Sequence, residues 1–417
     1  MKKTIKILIA AVLALPFIGC DKWTEVEILG GYDPTEGGSF SERHEMADDL
    51  DKYWHNIREY KKSDHAISYG WYSSWNPPAN DNFGSGSGSL TGLPDSMDMV
   101  ALWLYEGNLT TDINETQKRD LDMARNERGL KVLFCHMCNY IGQYICPGPG
   151  ADYTNESQRR QYWDNLAREQ WKADEIGWGE ASYQYGLAFG KWILDSGYDG
   201  LDLDYEPNFG HTGNLQESTT NMQRFIEGLA EYLGPNARGE GETVFSHGKV
   251  LMVDGEPQTL NSVCGRLLDY YNIQAYYCSG DSNLDTRFNN LINKYGPNSV
   301  CGETVEEIHR KIIWCEDFEN VSYRDGGANF TKRGSGGQCK SLYGMSTWHY
   351  PGCENARIGG AGAFKFNLVY ERVPENSRYG YWHYMRESIQ AMNPAQLVSD
   401  DEETGEEPEE EAEEEQA

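Results

Sequence analysis

The sequence predicts a single α/β domain in which eight parallel strands close into a (β/α)8 barrel. Short apolar segments alternate with amphipathic helical segments between about residues 40 and 392. Such alternation indicates parallel strands joined by right-handed helical crossovers. About eight strand-like segments in roughly 330 residues match the size of a closed barrel. A doubly wound open sheet is the alternative, but no glycine-rich phosphate turn follows the first strand-like segment.

The predicted strands are short and apolar, and the predicted helices carry apolar stripes with clear ends. The strand segments are residues 66–72, 97–103, 131–136, 200–205, 250–253, 270–276, 311–314 and 362–366. Residues 41–62 form the first predicted helix. The helix after the fourth strand carries an apolar stripe from Met222 to Leu233, and Gly234 and Pro235 end it.

The first twenty residues have the organisation of a bacterial signal peptide. Three lysines among the first six residues precede an apolar run at 7–18, which is too short to span a membrane as a helix. Residues 17–20 resemble a bacterial lipobox, after which Cys20 becomes the lipid-bearing first residue of the mature chain. An ordinary signal peptide with an incidental cysteine is the alternative.

Composition divides the chain into four segments and limits the classes of partner that it can bind. Residues 1–20 are the predicted lipoprotein signal peptide, 21–40 a tether, 41–395 the barrel, and 396–417 an acidic disordered tail. The formal net charge is −30, with 36 Lys and Arg against 66 Asp and Glu, so a nucleic-acid partner is not expected. No cofactor and no metal centre is predicted, because the Cys-x-x-Cys at 135–138 has no second pair at zinc spacing.

Three carboxyl groups follow one another along one face of the fourth strand. Because side chains alternate between the faces of a strand, Asp202, Asp204 and Glu206 project together. Leu201 and Leu203 point the other way. Like charges crowded inside a barrel hold at least one carboxyl protonated, as a general acid requires. A calcium site and an exposed acidic edge strand are the alternatives, and the extended spacing and apolar neighbours disfavour both.

These acidic residues carry a resemblance to a known family. Residues 199–206 read Asp-Gly-x-Asp-x-Asp-x-Glu, which resembles the fourth-strand signature of glycoside hydrolase family 18, a (β/α)8 family. Residues 70–75, Gly-Trp-Tyr-Ser-Ser-Trp, are similar to the end of that family's first strand. Gln274 and Tyr276 resemble the Gln-x-Tyr of its endo-β-N-acetylglucosaminidases, where chitinases usually have Met-x-Tyr. The sequence departs from the family at 135–138, where Cys-His-Met-Cys replaces the common Ser-x-Gly-Gly, and the chitinase-type Trp of the eighth strand is missing.

The resemblance implies an endo-β-N-acetylglucosaminidase that hydrolyses the β-1,4 bond in the GlcNAc-GlcNAc core of N-linked glycans with retention. Glu206 would be the general acid and base, and the 2-acetamido oxygen of the substrate would be the nucleophile. Asp204 would accept a hydrogen bond from the acetamido N–H, and Asp202 would share its proton. Gln274 and Tyr276 would position the acetamido group.

Four tryptophans near strand ends are candidate platforms for sugar rings, with packing in the core as the alternative for each: Trp71, Trp75, Trp103 and Trp348. The expected partner is an N-glycan or a glycoprotein. The lipid anchor would attach the protein to the outer membrane, with the barrel exposed at the cell surface. A chitinase acting on GlcNAc polymers and a non-catalytic glycan-binding protein with the same barrel are the alternative functions.

Overall fold

The computed structural model describes residues 47–80, 83, 88–209, 212–246, 248–319, 322–334, 336–371 and 381–394. Contacts group Ser39–Asn393 into one compact unit. The signal peptide, the tether and the acidic tail predicted from the sequence lie outside the described residues. Within the described part of the chain, no helix combines the length and the apolar character needed to cross a membrane.

Eight parallel strands form a closed barrel, which confirms the predicted fold class. The strands are β1 (Ile67–Tyr72), β2 (Met99–Leu102), β3 (Lys131–Met137), β4 (Gly200–Tyr205), β5 (Val250–Gly255), β6 (Tyr270–Gln274), β7 (Ile312–Asp317) and β10 (Gly360–Phe364), with a separate hairpin of β8 (Asn329–Thr331) and β9 (Gln338–Lys340). Neighbours pair in chain order, and β10 closes the barrel between β7 and β1.

Helices occupy the connections between the strands. They are α1 (Ala47–Lys62), α2 (Glu115–Asn126), α3 (Glu156–Gln170), α4 (Ala173–Ile176), α5 (Trp178–Asp195), α6 (Thr219–Leu229), α7 (Asp281–Tyr295), α8 (Val305–Lys311), α9 (Ser341–Ser346), α10 (Leu368–Glu371) and α11 (His383–Met392). The start of α2 shows why such segments become helical: Asn114 caps the backbone N–H of Gln117, and the Gln117 side chain caps Asn114 in return.

The helices before and after β4 touch along their backbones. A Cβ at Gly186 on α5 would lie 2.3 Å from the carbonyl oxygen of Phe225 on α6. A Cβ at Gly228 on α6 would lie 2.3 Å from the carbonyl oxygen of Tyr183 on α5. Side chains are therefore excluded from this crossing, and the apolar stripe of α6 packs fully, with Met222 and its stripe neighbours buried.

Three strands begin in the same way at the amino end of the barrel. An aspartate precedes each of β2, β4 and β6, and its carboxylate accepts a backbone N–H from the strand before it. Asp98 accepts from Ser68 at 2.8 Å, Asp199 from Val132 at 2.8 Å and Asp269 from Leu251 at 3.0 Å. Each carboxylate also bonds to a basic side chain, namely His65 for Asp98 (2.9 Å), Arg125 for Asp199 (2.8 Å) and Arg238 for Asp269 (2.5 Å). These aspartates fix the register of neighbouring strands.

Several predicted strand limits are wrong, and two of the errors fall at acidic residues. β5 continues through Asp254 and Gly255, and β7 continues through Glu316 and Asp317. β6 ends at Gln274, so Tyr276 lies in the following turn. Acidic residues at a strand end suggest a loop, because loops are usually polar, but these carboxyl groups are buried in the barrel or held by hydrogen bonds at its mouth.

The buried pair of Asp98 and His65 makes stability depend on pH. Burial lowers the pKa of His65, but the Asp98 carboxylate outweighs burial and raises it. Burial raises the pKa of Asp98, but the charge and hydrogen bond of His65 outweigh burial and lower it. The His65 contribution to stability is thus present below about pH 6.5 and lost above its raised pKa, and the Asp98 contribution is lost as the pH falls below about 4.

We expect Asp98→Asn to destabilise the protein by about 3 kcal/mol near pH 5.5, because it leaves the buried His65 without its counter-charge. The difference in melting temperature between wild type and variant should narrow as the pH rises above the raised pKa of His65, because His65 then becomes neutral in both. Glu59→Gln, which removes an exposed pairing with Lys62 on α1, serves as the control and should leave the melting temperature unchanged. A difference in melting temperature that stays constant with pH would contradict an ionised His65.

Candidate active site

β4 places two carboxyl groups inside the barrel and a third just above them. Asp202 and Asp204 are 0% and 3% exposed and face the interior, while Leu201 and Leu203 pack against the helices. Glu206 follows the last residue of β4 and is partly exposed. This is the arrangement that the period-two pattern of the sequence predicts.

Asp202 lies deepest and is held by neutral donors. Its Oδ2 accepts from the hydroxyl of Tyr69 on β1 and, at 3.4 Å, from the amide of Asn272 on β6. Burial raises the pKa of Asp202 to about 6, and the hydrogen bond from Tyr69 partly opposes this rise. Its Oδ1 is buried without a hydrogen-bond partner among the described residues.

Asp204 lies between Asp202 and Glu206 and has an unused buried oxygen. Its Oδ1 has no hydrogen-bond partner in the described part of the chain. Burial, followed by the negative charges of Glu206 and Asp202, holds the pKa of Asp204 well above its usual range. A buried acceptor of this kind is suited to an N–H donor from a ligand, because an unpaired buried polar atom is costly.

A fourth carboxyl group was missed by the sequence analysis. Asp254 on β5 is 1% exposed and pairs in register with Asp204. Its Oδ1 accepts from Nε2 of Gln274 at 2.8 Å, and its Oδ2 lies 3.7 Å from the Cys135 thiol. The signal was available: Asp254 has the same parity as Val250 and Met252, whose side chains line the barrel interior.

The four carboxyl groups form two overlapping triads. Ligand atoms of Asp204, Glu206 and Asp254 lie within 4.8 Å of one another, and so do those of Cys135, Asp202 and Asp254. Groups this close could hold a metal ion by distance alone. Their members instead accept from Tyr69, Asn272 and Gln274, and the absence of a metal remains a sequence-based prediction. Carboxylates this close cannot all be ionised, so the cluster retains protons.

The turn that carries Glu206 is fixed from β5. The backbone N–H of Phe209 donates to the Glu206 carbonyl at 3.1 Å in a short 3-10 turn. Glu256 accepts from the backbone and the side chain of Asn208 at 2.8 and 3.0 Å. Gly255 has φ +89°, and a Cβ there would lie 2.7 Å from Cγ of Glu206. Glu206 therefore depends on a glycine at position 255.

Gln274 and Tyr276 lie on the β6 side of the cluster. Gln274 is the last residue of β6, and its amide is bonded to Asp254. The ring of Tyr276 stacks on Phe364 of β10 with centroids 6.2 Å apart, and burial raises the pKa of the Tyr276 hydroxyl. Tyr276 is thus a neutral donor in this position.

The unusual third-strand sequence divides between the two faces of β3. Cys135 faces the interior and accepts the indole N–H of Trp71 at 3.2 Å. His136 faces outward, with its ring 5.0 Å from that of Tyr144, and burial lowers its pKa to about 4. His136 is therefore a neutral packing residue, and Cys135 is the one that borders the carboxyl cluster.

Three of the four tryptophans predicted as sugar platforms are corrected to packing residues. Trp71 is 1% exposed inside the barrel, and Trp348 is 1% exposed with its ring edge against Trp314 of β7. Trp75 is 9% exposed and donates to the buried carboxylate of Asp120. A stacked sugar needs an accessible ring face, and these rings are covered. Trp103, after β2, is partly exposed and stays a prediction.

Exposed apolar side chains at the carboxyl ends of strands were not anticipated. Phe209 is 77% exposed, Leu104 68% and Tyr277 48%, following β4, β2 and β6 respectively. Leu104 and Tyr277 have positive φ values of 65° and 54°, which is strained for residues with a side chain. Glu316 accepts the backbone N–H of Tyr277 at 2.7 Å, so this buried carboxyl holds the turn after β6.

Comparison with known proteins decides the family. A family model described as glycoside hydrolase family 18, BT1044-like, matches residues 22–391. The chain belongs to glycoside hydrolase family 18. A curated relative, endo-beta-N-acetylglucosaminidase F2 of Elizabethkingia meningoseptica, is 27% identical over 194 residues, which is 45% of this chain and 45% of that protein. The chain thus spans under half the length of this relative.

Two solved structures extend the comparison. A selenomethionine form of BT1044 carrying a Glu-to-Gln substitution has a TM-score of 0.62 and 26% identity, over 83% of this chain and 93% of that one. An endo-beta-N-acetylglucosaminidase from Cordyceps militaris has a TM-score of 0.48 and 21% identity, over 82% of this chain and 95% of that one. Family 18 enzymes are generally hydrolytic, so the carboxyl cluster is a candidate glycosidase site acting on a glycan.

We expect Gly255→Ala to abolish most turnover, by about 100-fold or more, because the added methyl group displaces Glu206 from its position. Gly302→Ala is the matched control, since Gly302 also has positive φ (+64°) but has no atom within 4 Å of its added Cβ. Both variants should lose about 1 kcal/mol of stability from backbone strain. Gly255→Ala should lose more, because its added Cβ would also lie 2.7 Å from the carbonyl oxygen of Tyr205. Equal turnover in the two variants would show that strain, not displacement, matters at Gly255.

Proposed function

We propose that this family 18 chain is an endo-β-N-acetylglucosaminidase that cleaves the β-1,4 bond in the GlcNAc-GlcNAc core of N-linked glycans. The observation that carries the proposal is the position of Gln274 and Tyr276 beside Asp204 and Glu206. Gln274 ends β6 and is bonded to Asp254 of the carboxyl cluster, and Tyr276 lies in the turn that follows. The similarity to endo-beta-N-acetylglucosaminidase F2 supports the same choice.

The reaction proceeds in two steps through the substrate's own acetamido group. In the first step, the acetamido oxygen forms a bond to the anomeric carbon as the glycosidic C–O bond breaks. Glu206 gives its proton to the departing oxygen. In the second step, water attacks the anomeric carbon, Glu206 takes a proton from that water, and the acetamido group is restored. Two inversions at the same carbon give net retention.

Asp204 stabilises the cyclic intermediate. The acetamido N–H donates to Oδ1 of Asp204, the buried oxygen that has no hydrogen-bond partner among the described residues. Positive charge develops on the acetamido group as it attacks, so a carboxylate beside the N–H binds the transition state more tightly than the ground state. Asp202, directly beneath on β4, shares protons with this site.

Gln274 and Tyr276 hold the acetamido group for attack. Tyr276 is a neutral hydroxyl on a ring fixed by Phe364, and it donates to the acetamido oxygen. Gln274 is restrained by Asp254, which limits rotation of its amide. Holding the nucleophile close to the anomeric carbon converts binding energy into rate.

We expect the wild-type protein to release glycans from a glycoprotein and to leave a polypeptide that retains one GlcNAc, as measured by mass spectrometry. Glu206→Gln should lower turnover by about 10³-fold, because the variant cannot donate a proton. Glu175→Gln, on the exposed helix α4, is the control and should retain full turnover. Cleavage of chitin oligomers alone would indicate a chitinase. Glycan binding without cleavage by either the wild type or Glu206→Gln would indicate a binding protein.

The proposal also includes anchoring through Cys20 to the outer membrane, with the enzyme at the cell surface. It rests on the basic start, the apolar run and the lipobox-like residues 17–20, all of which lie outside the described residues. An enzyme held there would meet glycoproteins before they enter the cell.

We expect Cys20→Ala to move the protein from the membrane fraction to the soluble fraction and to remove the lipid mass from the mature chain. Cys146→Ala, at a partly exposed cysteine within the barrel domain, is the control and should leave the partitioning unchanged. Unchanged partitioning of Cys20→Ala would reject the lipid anchor without affecting the proposed reaction.

A further inference from the structure

Asp254 is a buried carboxyl group that takes no part in the proton transfers described above. It lies on β5, between Asp204 of β4 and Asn272 of β6 in the strand register. It is 1% exposed and has no basic partner among the described residues, in contrast to the aspartates at the amino end of the barrel. A buried carboxyl without a counter-charge is costly, so its presence calls for a role.

A carboxyl oxygen of Asp254 lies within 4.8 Å of one of Asp202. Two buried carboxyl groups this close, with no basic partner among the described residues, are not both ionised, so the pair retains a proton. Asp202 accepts from Tyr69 and Asn272, as an ionised carboxylate does, whereas Asp254 has only the Gln274 amide and the weak Cys135 thiol as donors. Burial and the negative charges of Asp202 and Asp204 also hold the pKa of Asp254 well above its usual range. The shared proton is therefore placed on Asp254.

Asp254 also belongs to both triads of the cluster. Its ligand atoms lie within 4.8 Å of those of Asp204 and Glu206 on one side and of Cys135 and Asp202 on the other. Titratable groups from all the packed elements interact with Asp254 through charge or hydrogen bonds: Cys135, Asp202, Asp204, Glu206, Tyr69, Tyr276 and Cys315. All of these groups are acids. Asp254 therefore connects Asp202 to Asp204 and Glu206 within an acidic environment.

The bond to Gln274 has a second consequence. Nε2 of Gln274 donates to Oδ1 of Asp254 at 2.8 Å, so the amide oxygen of Gln274 faces away from Asp254. Oδ1 of Asp254 accepts this bond, while the Asp254 proton lies on the other oxygen, which faces Asp202. The Gln274 amide is thereby fixed in one of its two orientations. Without Asp254 the amide can rotate to the other orientation.

We propose that Asp254 is a positioning residue of this site, which shares a proton with Asp202 and fixes the orientation of the Gln274 amide. The consequence for catalysis rests on the proposed endo-β-N-acetylglucosaminidase function. With the proton held on β5, Asp202 and Asp204 can both accept, and Asp204 is ready for the acetamido N–H. The proton moves between Asp254 and Asp202 as charge develops on the substrate, with no net gain or loss.

The proton sharing is tested without turnover, by NMR titration of aspartate carboxyl carbons in the full-length protein. Asp202→Asn assigns the Asp202 resonance. In the wild type this resonance should pass through two titration steps, one of them the ionisation of Asp254. Asp254→Asn should remove one of the two titration steps. If the Asp254→Asn variant does not fold, Asp254→Ser is used in its place. Asp317→Asn, a buried carboxyl at the mouth of the barrel, is the control and should leave both steps. A single step in the wild type overturns the shared proton.

The positioning role is tested on the substrate that the wild type cleaves. Asp254→Asn should lower kcat about tenfold or more with KM within about threefold, since the loss falls on the transition state. The double variant Asp254→Asn, Gln274→Ala should have a kcat no lower than that of the more damaging single variant, because Asp254 acts through Gln274. Unchanged kcat in Asp254→Asn, or multiplied losses in the double variant, overturns it. A wild type that cleaves no N-glycan would reject the proposed function, and the NMR titration would still decide on Asp254.

Discussion

The structure depends on one electrostatic constraint: four carboxyl groups lie close together in the barrel interior and at its mouth, and two of them, Asp202 and Asp254, are bonded by neutral donors. Asp202 and Asp254 accept from a phenol, two amides and a thiol, none of which carries a positive charge. A lysine or arginine in the same place would bind the charged form of these acids and release their protons. Neutral donors satisfy the oxygens and leave the proton affinity high. The reaction proposed for Glu206 needs this environment, because a general acid must hold a proton until the bond breaks.

The two ends of the barrel use the same residue type in opposite ways. At the amino end, Asp98, Asp199 and Asp269 each combine a backbone N–H with a basic side chain. There the carboxylate is a structural bracket between neighbouring strands. At the carboxyl end, Asp204 and Asp254 pair in register, and in the described part of the chain neither has a basic partner. Stability and chemistry thus separate along the barrel axis, as expected for this fold.

The sequence predicted the parts of the molecule that follow from local periodicity. The alternation of β4 was sufficient to orient Asp202, Asp204 and Glu206, and the stripe on α6 was sufficient to predict its buried face. Asp254 was missed because a polar residue at the end of a strand resembles the start of a loop, although its parity was readable. The burial of Trp71 and Trp348 could not be predicted, since an indole near a strand end is equally able to stack on a sugar ring and to pack in the core. The exposure of Phe209 depends on the turn held by Glu256, which comes from a different strand.

The glycine contact between α5 and α6 constrains how this protein can evolve. Gly186 and Gly228 admit no larger residue while the helices stay at this distance, so the two positions can change only together with the whole crossing. These helices lead into and out of β4, the strand that carries Asp202 and Asp204. Leu104, Phe209 and Tyr277 at the barrel mouth have exposed side chains, which can change in size without a clash of this kind. Descendants of this sequence can therefore change the surface that a glycan meets while the frame behind the carboxyl cluster is inherited unchanged.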